Sequence, residues 1–251
     1  MEGEQPARHR QHCARVRRRR RAAWAASSAV HGALMRAIPL AICFAFAPLA
    51  VIVDAAASDA RLTHPNLICV AANVAYVAAL ATLIASASHC GVVDLAARQA
   101  AARESAEAAL AELAAPSEGS DELDLVAHWI AKALDDEPES QLVFNASVRR
   151  LGGHVRCGFV LAFRTLADPE PEYVATVEAV LALGGDTDTN AAIAGGMVGA
   201  LVGHCGLPHA MVATVRKCRP KTRPKWLHAA QADGMLASLT SSWPERRDKS
   251  P

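Results

Sequence analysis

Between Leu183 and Gly203 the chain reads LGGDTDTNAAIAGGMVGALVG, with two aspartates at its entrance and no charge from Asn190 onward. A helix with no polar face has to be surrounded by other elements, so this segment predicts a helix buried on every side and a fold able to enclose it. Its glycines carry a cost. Gly195, Gly196 and Gly199 together lose about 3 kcal/mol of helix propensity relative to alanine, which close approach of neighbouring backbones would offset. The i, i+4 spacing of Gly195, Gly199 and Gly203 predicts a smooth stripe for a packed helix, and it places Asp186 and Asp188 near the domain interior. Gly184 and Gly185 permit a sharp turn just before the acids.

The rest of the chain supplies helices to do the enclosing. Apolar residues make up 52% of the sequence and aromatics only 4%, with alanine dominant and no alternating β-branched runs, which indicates an all-α fold. With 251 residues the chain has the length of one ordinary domain. Periodicity predicts helices over residues 33–57, 66–87, 92–114, 122–134, 154–167, 171–183 and 189–203. The block 92–114 reads as a surface helix without chemistry. Residues 116–120 and 135–140 read as loops inside one domain, and the acids Asp121, Asp124, Asp135 and Asp136 lie in segments that resemble exposed linkers.

Charge is concentrated at the ends. No acid lies between Glu4 and Asp54, while that stretch carries nine arginines, five of them consecutive at Arg17 to Arg21. Residues 1–28 are read as a basic disordered leader able to touch nucleic acid without sequence specificity, 29–218 as the helical domain, and 219–251 as a basic, proline-containing, loosely packed tail. A competing reading makes the arginines and the apolar stretch 37–53 a signal-anchor. Pro39, Pro48, Arg36 and His31 count against a short spanning helix there, so a membrane is not the expected partner. The seven cysteines include no Cys-x-x-Cys pair, which suits reduced thiols in an intracellular, cytoplasmic setting better than a disulfide framework or a zinc site. His204, Cys205, His209 and Cys218 match no standard zinc spacing. A monomer is expected.

The acid pair admits two readings. An aspartate ahead of a helix caps free N–H groups, an effect worth about 1 kcal/mol, and one acid suffices for that. Two carboxylates in a partly desolvated place raise each other's pKa, a problem a divalent cation removes. The hard oxygens of Asp186, Asp188 and Thr189 suit Mg²⁺ or Mn²⁺ rather than zinc.

The run from Gly184 to Gly203 resembles the C-terminal signature of the ADP-ribosylglycohydrolase family. Gly32-Ala33-Leu34-Met35-Arg36 is similar to that family's Gly-[Ala/Ser]-x-Met-Arg substrate loop, Leu62-Thr63-His64-Pro65 to its Leu-Thr-His segment, and Gly152-Gly153-His154-Val155 to its Gly-aromatic-Val element. The resemblance, which spans about Gly32 to Val215, implies an all-helical fold with two Mg²⁺ or Mn²⁺ ions. It further implies hydrolysis of the glycosidic bond of ADP-ribosylated substrates. It makes Asp186, Asp188 and Thr189 metal ligands, and Gly32, Ala33, Met35, His64 and His154 contacts to ADP-ribose. Outside the resemblance, Met35 reads equally as core filling and His64 as a helix cap. The family's Gly-Asp-x-x-Gly and Thr-Asp-Asp-Thr elements are missing, and His31 stands where the family has asparagine. An N-terminally truncated domain is therefore expected, either an enzyme or a catalytically inactive ADP-ribose-binding or scaffold protein.

Overall fold

Helix α3 (Leu67–Ala85) explains most of the architecture of this protein, whose computed structural model describes residues 28–87, 94–114, 120–135, 137–241 and 243. It carries no charge over its whole length, begins at Asn66, whose side chain accepts from the Ile68 N–H at 2.9 Å, and buries residues on all sides. It is the one described helix long and apolar enough to cross a membrane, with a mean hydropathy of 2.3, yet 78% of that stretch is buried against other helices.

Around it lie α1 (Ile38–Cys43), α2 (Leu49–Thr63), α4 (Leu95–Ala114), α5 (Asp121–Ala133), α7 (Val155–Arg164) and α9 (Thr187–Val202). Helix α6 (Pro138–Leu151) and α8 (Tyr173–Leu183) form an outer layer, α8 packing on α9 and α6 on α8. No strand occurs among the described residues beyond a single antiparallel bridge between Val30 and His154. The all-α expectation is met.

The predicted helix over 33–57 is three pieces: a 3₁₀ turn at Leu34–Arg36, then α1, then α2. Pro39 sits in the first turn of α1, where its missing N–H costs nothing, and Pro48 is the residue from which α2 starts. The stretch 37–53 is thus not one continuous helix. Arg17 to Arg21 and most of the loop 116–120 lie outside the described residues, as does Asp136. Asp121 and Asp124 stand in the first turn of α5, where acids favour the helix dipole, rather than in a linker.

Helix α4 also departs from its sequence reading. It is a core helix, packed along α3 through Ala102, Ala106 and Ala109, all fully buried, because alanine side chains let the two backbones come close. Its first turns bury Arg98 and Gln99 as well. The Arg98 guanidinium donates to the Leu83 carbonyl at 2.9 Å, the Ala200 carbonyl at 3.0 Å and the Leu201 carbonyl at 2.8 Å. One side chain thereby closes the carboxyl ends of both α3 and α9. Gln99 donates to the Thr165 and Asp168 carbonyls beyond α7, at 3.2 and 2.6 Å.

The glycine stripe on α9 resolves into two faces. A Cβ at Gly196 would stand 2.6 Å from Ile38 Cδ1 and 2.7 Å from the Tyr76 hydroxyl, which donates to the Ile193 carbonyl at 2.8 Å. Gly195 and Gly199 instead look toward Tyr173 at 3.4 and 3.9 Å, ordinary contact distances, and Gly203 ends the helix at φ 66°. The i, i+4 row is therefore not where the packing is tight. Gly196→Ala is expected to cost about 1–3 kcal/mol by overpacking, whereas Gly199→Ala should gain up to about 1 kcal/mol in helix propensity. Urea unfolding of the two variants checks the opposite signs.

Beyond α9, α10 (His209–Lys217) and α11 (Ala232–Leu239) bury no residue, in keeping with a loosely packed end. Trp243 nevertheless returns to the bundle. Its indole N–H donates to the Ile42 carbonyl at 2.9 Å, and its ring meets Phe46 edge-on.

Candidate metal and substrate site

The segment entering the bundle, Ala29 to His31, lies antiparallel to Gly153 to Val155. The His31 N–H donates to the Gly153 carbonyl at 3.1 Å and the Val155 N–H to the Ala29 carbonyl at 2.8 Å. This pairing sets the following loop, Gly32 to Arg36, against the start of α7.

Arg36 then ties that loop to α2. Its Nε donates to Asp59 Oδ2 at 3.1 Å, its Nη2 to the Asp59 carbonyl at 2.8 Å, and its Nη1 to Thr63 Oγ1 at 2.7 Å. Thr63 Oγ1 in turn lies 2.8 Å from His64 Nδ1. The His64 ring rests on Gly32, where a Cβ would stand 2.7 Å from Cε1, so this loop requires glycine at that position. His64 does not cap α3; Asn66 does that. Ala33, 1% exposed, packs in the core, whereas Met35, 49% exposed, faces solvent and is not core filling.

The acid pair arrives from the other side. Gly184 and Gly185, at φ 74° and 75°, make the turn that ends α8. Helix α6 backs this turn: a Cβ on Gly185 would stand 2.9 Å from the Val148 carbonyl, and Arg149 Nε donates to the Leu183 carbonyl at 3.0 Å. Asp186 takes the N-cap position of α9, with its carboxylate drawn toward the hydroxyl and backbone N–H of Thr189. Its Oδ2 lies 3.3 Å from His31 Nε2, and Gly153 leaves room for the two to meet. Four segments that look alike to the family in sequence thus converge, at residues 29–36, 62–64, 152–155 and 184–189.

The electrostatics differ from the sequence expectation. Asp186 is about one-third exposed and Asp188 is fully at the surface, because only the later turns of α9 are enclosed. Burial pushes the Asp186 carboxyl upward, but hydrogen bonding with Asp188 and Thr189 and the nearby His31 together outweigh it and leave its pKa below the usual value. The elevation expected for a carboxylate in a buried pair is not seen at Asp186. His31, 6% exposed, is held neutral by burial against the opposing pull of Asp186 and Asp188. Its Nε2 faces Asp186 without a well-directed hydrogen bond.

Oxygen donors on one helical turn, with the Asp186 carboxylate drawn toward both Asp188 and Thr189, fit a hard divalent cation. Asp186, Asp188 and Thr189 would hold it. Among the described residues no set of three or more His, Cys, Asp or Glu side chains surrounds a common point, so water would complete the shell. The two buried thiols are poor ligands and nucleophiles, since burial pushes both Cys69 and Cys157 up to about 11.

A family model for ADP-ribosylglycohydrolase matches residues 2–246. The chain belongs to the ADP-ribosylglycohydrolase family. No curated protein and no solved structure matches it. The family match extends past the motif-bearing region at both ends and includes Trp243, which the bundle holds. It places the chain among hydrolase-type folds that are generally metal-dependent and that act on ADP-ribosylated ligands.

His154 has a second duty at this site. Its Nδ1 accepts from the Arg156 N–H at 3.1 Å and caps α7, and its ring meets Trp129 edge-on. Burial first, then Arg156 and His31, lower its pKa from 6.5. Below about pH 6.5 the unfolded chain takes up a proton that the folded one refuses, so stability falls as pH drops from there to the folded pKa, then levels off. His154→Asn keeps a cap without titrating. Its stability should fall less steeply below pH 6.5 in thermal melts, though not become flat, because burial lowers His31 and His64 in the same direction.

His31 is the residue that sequence reasoning undervalued. It registered as a departure from asparagine and as a residue unfavourable to a spanning helix, and nothing short of the Val30–His154 bridge shows that it meets Asp186. Helix α6 was missed because Leu142 and Val143 lie on its exposed side and blur the pattern. Its signal was Pro138 at the first turn with Phe144, Val148 and Leu151 at i, i+4 and i+7.

Proposed function

We propose that this protein hydrolyses the glycosidic bond joining ADP-ribose to a modified substrate, using Mg²⁺ or Mn²⁺ held by Asp186, Asp188 and Thr189. The observation that carries this reading is the Asp186 carboxylate at a helix start, drawn toward Asp188 and Thr189 and faced by a buried imidazole. When bound, the cation supplies orientation of ribose hydroxyls and polarisation of a water.

The chain's own residues would do the rest. The loop Gly32 to Met35 and the His64 ring form one wall, and Gly153 with His154 the other. Met35 faces solvent, where a ligand can reach it. Neutral His31, with Nε2 toward Asp186, is placed to hold or pass a proton at that carboxylate as water attacks and the leaving group departs.

A second reading has its own support. The sequence contains no Thr-Asp-Asp-Thr element, and no third acid joins the pair among the described residues, so a protein that binds ADP-ribose without cleaving its substrate is the alternative. Release of ADP-ribose from ADP-ribosylated arginine or serine proteins, with Mg²⁺, with Mn²⁺ and with EDTA, separates the two. Metal-dependent release supports hydrolysis. Calorimetric binding of ADP-ribose without release supports the binding protein, and absence of both removes each reading.

A further inference from the structure

Away from the acid pair, α5, α6 and α7 enclose an open cavity of about 250 Å³ lined by His128, Lys132, Glu139, Phe144, Arg156 and Arg164 among others. Two of these carry most of the weight. The guanidinium carbons of Arg164 and Arg156 lie 4.5 and 5.6 Å from the centre of the Phe144 ring, so one buried aromatic holds both cations side by side.

Neither arginine forms an ion pair with the described residues. Arg164 donates through Nη1 to Asn145 Oδ1 at 2.7 Å, while the Arg156 side chain donates to none of them. The Nε atoms of both are shielded from water and have no partner. A guanidinium offers about five N–H donors, so nearly all the donor capacity here goes unmatched by protein. A desolvated cation without an acceptor is costly, and an anion offsets that cost. The first turn of α6, which contributes Glu139 and Ser140 to the wall, lacks a capping side chain and adds its positive helix end.

We infer that this cleft is an anion site that takes a phosphate group, free or as a small phosphate monoester. Two unpaired guanidiniums face one carboxylate, Glu139, while Lys132 is paired with Asp135 at 2.8 Å, and guanidinium forks match the tetrahedral oxygens of phosphate in the two-bond manner. The cavity admits a compact headgroup and not a whole dinucleotide. The site shares no residue with the acid pair and does not rest on the hydrolase reading. Arg156 follows two residues after His154, whose Nδ1 accepts from the Arg156 N–H, so an occupant here touches the first turn of the helix that follows His154.

Inorganic phosphate and glycerol phosphate, titrated calorimetrically into the full chain in EDTA, test the site. Arg156→Gln and Arg164→Gln are each expected to weaken binding by at least about tenfold. Glu139→Gln, an exposed change that leaves the core alone, is expected to tighten it several-fold. Asp186→Asn is expected to leave it unchanged. Phosphate affinity insensitive to both arginines, unmoved by Glu139→Gln, or lost with Asp186→Asn overturns the assignment. Should Arg164→Gln fail to fold, Arg156→Gln and Glu139→Gln decide it.

Discussion

Arg98→Met should destabilise the protein by about 3 kcal/mol, a fall in Tm of roughly 6–12 °C for a domain of this size. Arg98 is 9% exposed and ends three carbonyls on two helices, at Leu83, Ala200 and Leu201. Methionine keeps the packing of the stem and removes every donor. Each orphaned carbonyl then costs about 1–3 kcal/mol, partly recovered because no cation has to be desolvated. Arg98→Lys should fall between, since one ammonium cannot span the ends of α3 and α9 as a planar fork does. A loss below about 1 kcal/mol for Arg98→Met, measured by urea unfolding, would show that water closes those helix ends equally well.

The second large effect concerns the acid pair. Asp186→Asn with Asp188→Asn should abolish calorimetric uptake of Mg²⁺ and Mn²⁺, and lower any ADP-ribose release by at least about 100-fold. In EDTA the same double variant should unfold within about 1 kcal/mol of the parent, because asparagine at the N-cap position of Asp186 caps about as well as aspartate. Added metal should raise the Tm of the parent and not of the variant, since a ligand stabilises only the state that binds it. A parent that takes up no metal, with a variant equally stable in EDTA, would reduce Asp186 to a helix cap.

Several parts of this molecule are readable from residues alone because local chemistry dictates them. Alanine-rich, charge-poor segments without alternation can only be helices, and α3, α4, α5, α8 and α9 appear within a few residues of their predicted limits. The motif around Asp186 was equally legible. Errors arose where a residue's partner is distant. The stretch 33–57 looked continuous, but Pro48 starts a new helix and the chain bends at Phe44 to Ala47. Arg98 and its alanine neighbours looked like a mixed surface face, because an arginine among alanines gives no hint of carbonyls from α3 and α9 waiting for it.

By itself the sequence determined the all-helical character, the buried glycine-bearing helix with two acids at its start, and the family to which the chain belongs. Only the tertiary structure decided that Gly196, and not Gly195 or Gly199, is the point of close approach, and that the acids emerge at the surface. It also decided that His31 meets Asp186 and that Arg156 and Arg164 share one ring. The physical reason is the range of the forces involved. Propensity, capping and turn geometry act within a few residues and leave a mark in the order of amino acids. Desolvation, ion contact and steric fit depend on separate segments, some as distant as His31 and Asp186, and they exist only once the helices have packed.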